Sequence, residues 1–305
     1  MPRLVRCPQN PLLMPGNNLW EDKLVFNPAA IIHDSLIYLF YRAMGTYDSV
    51  SRFGMAISVD GINFTRFSTP CYGGGSNSYD ALGVEDPRVV KIDGLFYFVY
   101  TAVREDKAPR ADQKSADNII RIPQVAASTT KDFVNFKNHG VLIDAPGKDA
   151  SLFPKKINGD FWLLYREGEN KTYFTKSNDF KTWELKKFVF DKRPGSWDSI
   201  RVGVGGPPIE TDKGWLLFYH GVDEKKVYRL GIIFLDLEDP TKVLYRSQDP
   251  IFEPEESYEM NGLIPHVVFT CGTVEKNEAY YVYYGGADKA IGLATIKKSE
   301  VLSLF

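Results

Sequence analysis

The chain carries one short aromatic run five times: Ile37-Tyr38-Leu39-Phe40-Tyr41-Arg42, Phe96-Tyr97-Phe98-Val99-Tyr100-Thr101, Phe161-Trp162-Leu163-Leu164-Tyr165-Arg166, Trp215-Leu216-Leu217-Phe218-Tyr219-His220 and Tyr280-Tyr281-Val282-Tyr283-Tyr284-Gly285. The runs start at 37, 96, 161, 215 and 280. Each is short, rich in aromatic and β-branched residues, and almost unbroken in apolarity. That pattern reads as a strand buried on both faces. Before each run lies a polar turn (His33-Asp34-Ser35, Asp93-Gly94, Asn158-Gly159-Asp160, Asp212-Lys213-Gly214, Glu275-Lys276-Asn277) and, before that, a shorter apolar run. This is hairpin chemistry. A third strand follows, as in Gly54–Ser58 or Gly231–Leu235, then a polar turn and a fourth, as in Ser58–Phe64 and Thr129–Phe136. Five repeats of up to four antiparallel strands predict an all-β chain, a five-bladed β-propeller over residues 1–305 as one domain, with no convincing helix. A pair of β-sandwiches fits the fivefold spacing less well.

Bulk properties narrow the function. Net charge is −2, with 37 basic and 39 acidic residues, so no global field favours nucleic acid or a membrane surface. Cys7, Cys71 and Cys271 are odd in number, far apart and without a CxxC, which suggests neither a disulfide framework nor a zinc knuckle. The start, Met1-Pro2-Arg3-Leu4, lacks the apolar core of a signal peptide, so the expected location is cytoplasmic.

In a propeller the first strands line the axis, and the start of strand one lies at the same end as the exit of strand two. Polar residues at those places should therefore meet. Strand-one entries supply Asn27, Glu85, Asp86, Arg88, Lys148, Asp149, Arg201 and His266. Strand-two exits supply Arg42, Arg166, His220 and Asp288; third strands add Arg121 and Tyr228. Charges beside apolar strands are costly unless paired, so the alternatives are scattered local ion pairs or one polar, anion-friendly pocket. Gly83-Val84-Glu85-Asp86-Pro87-Arg88 is the sharpest stretch. Pro87 fixes its own φ and biases Asp86 toward an extended backbone, a stiff mount for an acid and also an ordinary strand start. Lys148, Arg166 and Arg201 form a cation cluster suited to phosphate oxygens. An acid facing such a cluster suits glycoside phosphorolysis: the acid protonates the leaving oxygen and phosphate attacks from the other face. Inverting hydrolysis needs a second carboxylate as base, for which Glu85, Glu167 and Glu169 are candidates. A non-catalytic glycan-binding propeller would gain nothing from a phosphate pocket. His33, in a turn, and His139, in a loop, read as solvated. Gly203, Gly205 and Gly206 read as close packing at the axis rather than a phosphate loop.

These stretches resemble glycoside hydrolase family 130, the β-mannoside phosphorylases and related β-mannosidases. The similar segments are Phe26–Ala30, Gly83–Arg88, Lys148–Pro154, Gly203–Pro208, Tyr219–Val222, Tyr228–Gly231 and Tyr284–Asp288, in the family's order along nearly the whole chain. The resemblance implies a five-bladed propeller. It implies Asp86 as general acid, its proton passing in several members through the mannosyl 3-hydroxyl. Lys148, Arg166 and Arg201 match phosphate-binding positions, although relatives often carry arginine at the first and lysine at the third. The hydrolytic branch loses these cations, so their retention implies phosphorolysis giving α-mannose 1-phosphate, with inorganic phosphate as co-substrate and no metal or other cofactor. His220 and Tyr228 match phosphate- or sugar-contacting positions, as do Asn27, Arg42, Arg88 and Asp288. His266 stands where many relatives have asparagine. The amino-terminal region, with Asn10-Pro11-Leu12-Leu13, is similar to members acting on β-1,2-mannosides. Loops 70–82 and 104–118 are expected to set the acceptor, and members with similar loops often form homo-oligomers.

Overall fold

A computed structural model describes residues 2–74, 79–106, 120–168 and 170–304. The chain is all-β, with antiparallel ladders throughout the named strands. Every aromatic run becomes the second strand of its repeat: Leu36–Met44, Leu95–Asp106, Phe161–Glu167, Gly214–Val222 and Ala279–Gly286. Each pairs across a hairpin with a first strand, such as Leu24–His33 with Leu36–Met44 and Val84–Ile92 with Leu95–Asp106. Third strands follow on the other side, as Arg52–Ser58 and Tyr228–Leu235 do.

Two joints were not legible in the repeat pattern. Phe136–Leu152 is one strand of 17 residues. Its first part pairs with Ile120–Thr130 as the outer strand of the second repeat. Its last part pairs with Phe161–Glu167 as the first strand of the third. The two repeats thus share a seven-stranded sheet. The fifth repeat takes its outer strand from the other end of the chain: Val5–Arg6 pairs with Ala290–Lys297, Val5 opposite Thr295. Two short helices, Ser257–Met260 and Lys298–Leu302, correct the expectation of none. Among the described residues no helix is long and apolar enough to cross a membrane.

The core is divided between repeats rather than held within them. Phe40 and Phe53 of the first repeat pack with Phe96, Phe98 and Tyr100 of the second. Val99 and Val125 pack with Leu163 and Tyr165, and Leu164 and Phe174 with Trp215 and Leu217. Phe218 and Ile232 of the fourth repeat meet Tyr280 and Val282 of the fifth. Tyr283 and Leu293 of the fifth meet Leu39 and Tyr41 of the first. Burying each such side chain contributes roughly 1.5–3 kcal/mol, so a repeat depends on both neighbours.

His33 and His139, expected to be solvated, are both half-buried and each also packs against an aromatic ring. His33 lies edge-on to Phe96, and His139 sits inside a strand with Nε2 2.9 Å from Thr129 Oγ1 and Phe180 against its ring. The glycines pack closely as expected: a Cβ on Gly205 would lie 2.5 Å from the Phe218 carbonyl oxygen, and one on Gly203 2.4 Å from Asp149 Oδ2.

Candidate active site

The first strands carry a repeated irregularity. The ladder slips between Phe26 and Ala29, between Glu85 and Arg88, and between Lys148 and Ser151. At each slip one short polar residue is left-handed: Asn27 (φ 48), Asp86 (φ 51) and Asp149 (φ 54). Asn and Asp tolerate this region better than other residues with a Cβ, which fits their use here. The extended backbone expected for Asp86 is thereby corrected. The bulge overrides the preference set by Pro87, and Arg88 Nη1 donates to the Asp86 carbonyl at 2.8 Å.

The bulges bring three repeats to one place. Asn27, Arg42, Asp86, Asp149, His220, Tyr228 and Asp288 line a cavity of about 150 Å³, together with Lys148, Arg166 and Arg201. The last three also line an adjoining cavity of about 480 Å³, with Glu85, Arg121, Val103, Ile122 and Pro123. The three cations therefore form the wall common to both. Arg88 and His266 line neither. Arg88 is fully buried beneath the site, donating to the carbonyls of Gly205 (3.0 Å) and Val204 (3.1 Å). The His266 ring is exposed, with Nδ1 3.3 Å from Met260 Sδ. Val267, Phe269 and Ile264 line the smaller cavity and were not foreseen. Nothing in sequence separates an apolar pocket wall from an apolar core.

Both sequence-level alternatives are realised at once: the charges pair locally, and the pairs share one site. Arg42 donates to Glu85 at 2.6 Å and lies 3.5 Å from Asp86 Oδ1. Glu85 also faces Lys148 at 3.9 Å, so it braces those two cations and not Arg88. Arg166 Nε donates to Asp149 Oδ2 at 2.7 Å, and Arg201 Nη1 to the Tyr228 hydroxyl at 2.9 Å. Asn27 Nδ2 donates to Asp86 Oδ1 at 2.9 Å.

Burial sharpens these charges. It would raise the Asp149 carboxyl, but Arg166, with His220, Arg88 and Lys148 behind it, holds it well below the usual range. Burial pushes His220 down to about 3 against the pull of Asp149, and Arg166, Arg88 and Arg201 reinforce the fall, so the ring is neutral. Burial pushes Asp288 up to about 7, opposed by Arg42 and aided by Asp86 and Glu85. Glu167 is tied to Lys186 at 2.6 Å and lines neither cavity. Glu169 lies outside the described residues, as do parts of loops 70–82 and 104–118. Among the described residues no cluster of His, Cys, Asp and Glu could hold a metal ion.

Such a site can hold a small polar ring beside one acid, with cations positioned for an anion. Known proteins are similar to this chain along nearly all of its length. The model of glycoside hydrolase family 130, described as β-1,4-mannooligosaccharide phosphorylase, matches residues 12–305. A 1,2-β-oligomannan phosphorylase of Thermoanaerobacter sp. (strain X514) is 43% identical, with 99% of each chain covered. A β-1,2-mannobiose phosphorylase of the same organism is 42% identical over 98% of this chain and 99% of its own. Among solved structures, the β-1,2-mannobiose phosphorylase of Listeria innocua in complex with β-1,2-mannobiose superposes with a TM-score of 0.86. It is 28% identical, with 98% of each chain covered.

Proposed function

We propose, because this chain belongs to glycoside hydrolase family 130, that it is an inverting phosphorylase of β-1,2-linked mannosides. Inorganic phosphate cleaves the terminal mannosyl unit to give α-mannose 1-phosphate and a shortened acceptor. The β-1,2 linkage is favoured over β-1,4 because both full-length relatives above 40% identity are named for it. The observation that carries the reading is the cationic wall of Lys148, Arg166 and Arg201 shared by the two cavities.

In this reading the smaller cavity holds the mannosyl unit, contacted by Asn27, Arg42, Asp149 and Asp288. Asp86 is the general acid, and its proton goes to the leaving oxygen. A phosphate oxygen forms the new bond to the anomeric carbon from the opposite face, and the proton of hydrogen phosphate makes good the one Asp86 gave. Lys148, Arg166, Arg201, neutral His220 and Tyr228 supply donors to the phosphate. Glu85 and Arg121, in the larger cavity, meet the acceptor. Hydrolysis is disfavoured because the carboxylates beside Asp86 are committed. Glu85 is bound by Arg42 and Asp149 by Arg166. The five inter-repeat cores, fifth against first included, support one five-bladed propeller over residues 1–305.

The test is to incubate the protein with β-1,2-mannobiose with and without phosphate and measure mannose 1-phosphate. Phosphate-dependent formation of the sugar phosphate is expected. Mannose released at an equal rate without phosphate would overturn the reading.

A further inference from the structure

The two oxygens of Asp86 are not equivalent. Oδ1 accepts from Asn27 Nδ2 at 2.9 Å and has Arg42 Nη1 at 3.5 Å. Among the described residues no side chain donates to Oδ2. Asn27 comes from the first repeat, at the bulge position that Asp86 occupies in the second. Both precede a proline and both are left-handed. Asn27 is itself buried, and on the far side its Oδ1 has no hydrogen-bond partner among the described residues and sits in close-packed space. A Cβ on Gly285 would lie 2.3 Å from Asn27 Oδ1, so only glycine leaves that space. The opposite amide orientation would set two acceptor oxygens face to face.

We propose that Asn27 is a positioning residue for the acid: its amide claims Oδ1 of Asp86 as an acceptor, so that the transferable proton is carried by Oδ2. This rests on reading Asp86 as the general acid. An N–H donor stabilises the lone pair it meets, so a proton on Oδ1 would break the contact and set two donors together. The proton therefore sits on one defined atom of a side chain that a bulge has fixed. A carboxylic acid free to present either oxygen would lose part of the advantage of orientation. The other groups facing Asp86 are Arg42, Arg88, Glu85, Asp288 and Cys271. A substitution at Asn27 leaves each of these groups in the chain, so the two variants differ from the wild type in the amide alone.

Two variants test this. Asn27→Gly removes the amide and accepts the left-handed backbone. Asn27→Asp keeps shape and backbone preference but replaces the donor with a second carboxyl group. Titration of the aspartate carboxyls by 13C NMR, with the Asp86 signal identified by its loss in Asp86→Asn, reads the acid directly and needs no turnover. Its midpoint is expected to move to higher pH in Asn27→Gly, where the charged form loses a donor, and further in Asn27→Asp, where two carboxyls share a proton. The alkaline limb of the kcat/KM profile should follow, with kcat down roughly tenfold or more and KM for phosphate unchanged. An Asp86 titration that stays put in both variants overturns the proposal. So does a raised mannoside KM with an unmoved alkaline limb, which would make Asn27 a sugar contact only. Full activity of Asp86→Asn would instead remove the acid from the mechanism, and the NMR arm would still show whether Asn27 governs its proton.

Discussion

Replacing Asp149 with asparagine probes the charge balance under the site. The side chain is buried and serves two arginines at once, Arg166 at 2.7 Å and Arg88 at 3.6 Å, with His220 Nε2 also at 3.6 Å. Asparagine accepts the left-handed backbone and keeps one acceptor for Arg166, so the fold at the bulge is preserved. What is lost is the carboxylate charge that opposes the buried Arg166 and Arg88 guanidinium groups in that contact. Removing one partner of a buried ion pair costs about 3–5 kcal/mol. The remaining acceptor places this change near 3 kcal/mol, a fall in Tm of about 5 °C for a chain of this size. The uncompensated cations should welcome an anion, so phosphate is expected to raise Tm more in Asp149→Asn than in the wild type. Thermal unfolding at neutral pH, with and without saturating phosphate, gives both readings. The wild type has an acid counterpart. Because the folded carboxyl lies below its ordinary 3.8, its stabilisation is complete above that pH and is lost as pH falls below it. The variant should lack this part of the acid-induced loss. A Tm within about 1 °C of wild type, with no added response to phosphate, would refute the charge-balance reasoning.

Asp86→Asn should lower kcat by about 10²–10⁴-fold with Tm nearly unchanged, measured as sugar phosphate formed and as thermal unfolding. Arg201→Gln should raise KM for phosphate about tenfold or more and leave KM for the mannoside little changed in initial-rate kinetics. Asp288 has a folded value raised to about 7 from 3.8, so its proton stabilises the fold at low pH and that contribution is lost as pH rises between those values. Asp288→Asn should therefore flatten stability against pH across that window, which urea titrations at several pH values would show.

The sequence by itself determined the strands, the fivefold repeat and most of the polar residues of the site. A strand buried on both faces is apolar without a break, and a charge at its end stands out because burying it unpaired is costly. Those signals are local, and they place Asp86, Arg166 and His220 at strand ends. Other features rest on contacts between distant segments and were settled only by tertiary structure. The outer strand of the fifth repeat comes from Val5–Arg6, which no spacing announces. Asp86 is left-handed rather than extended because a bulge in its pairing with Leu95–Asp106 outweighs the local effect of Pro87. Arg88 and Arg166 look alike in sequence, each a cation at a strand end. Arg88 sinks under the floor because the carbonyls of Val204 and Gly205, more than a hundred residues away, are there to receive it. Arg166 lines the cavity instead, with Asp149 to hold it. Which charge lines the cavity and which lies beneath it is decided by the partner each finds in the fold.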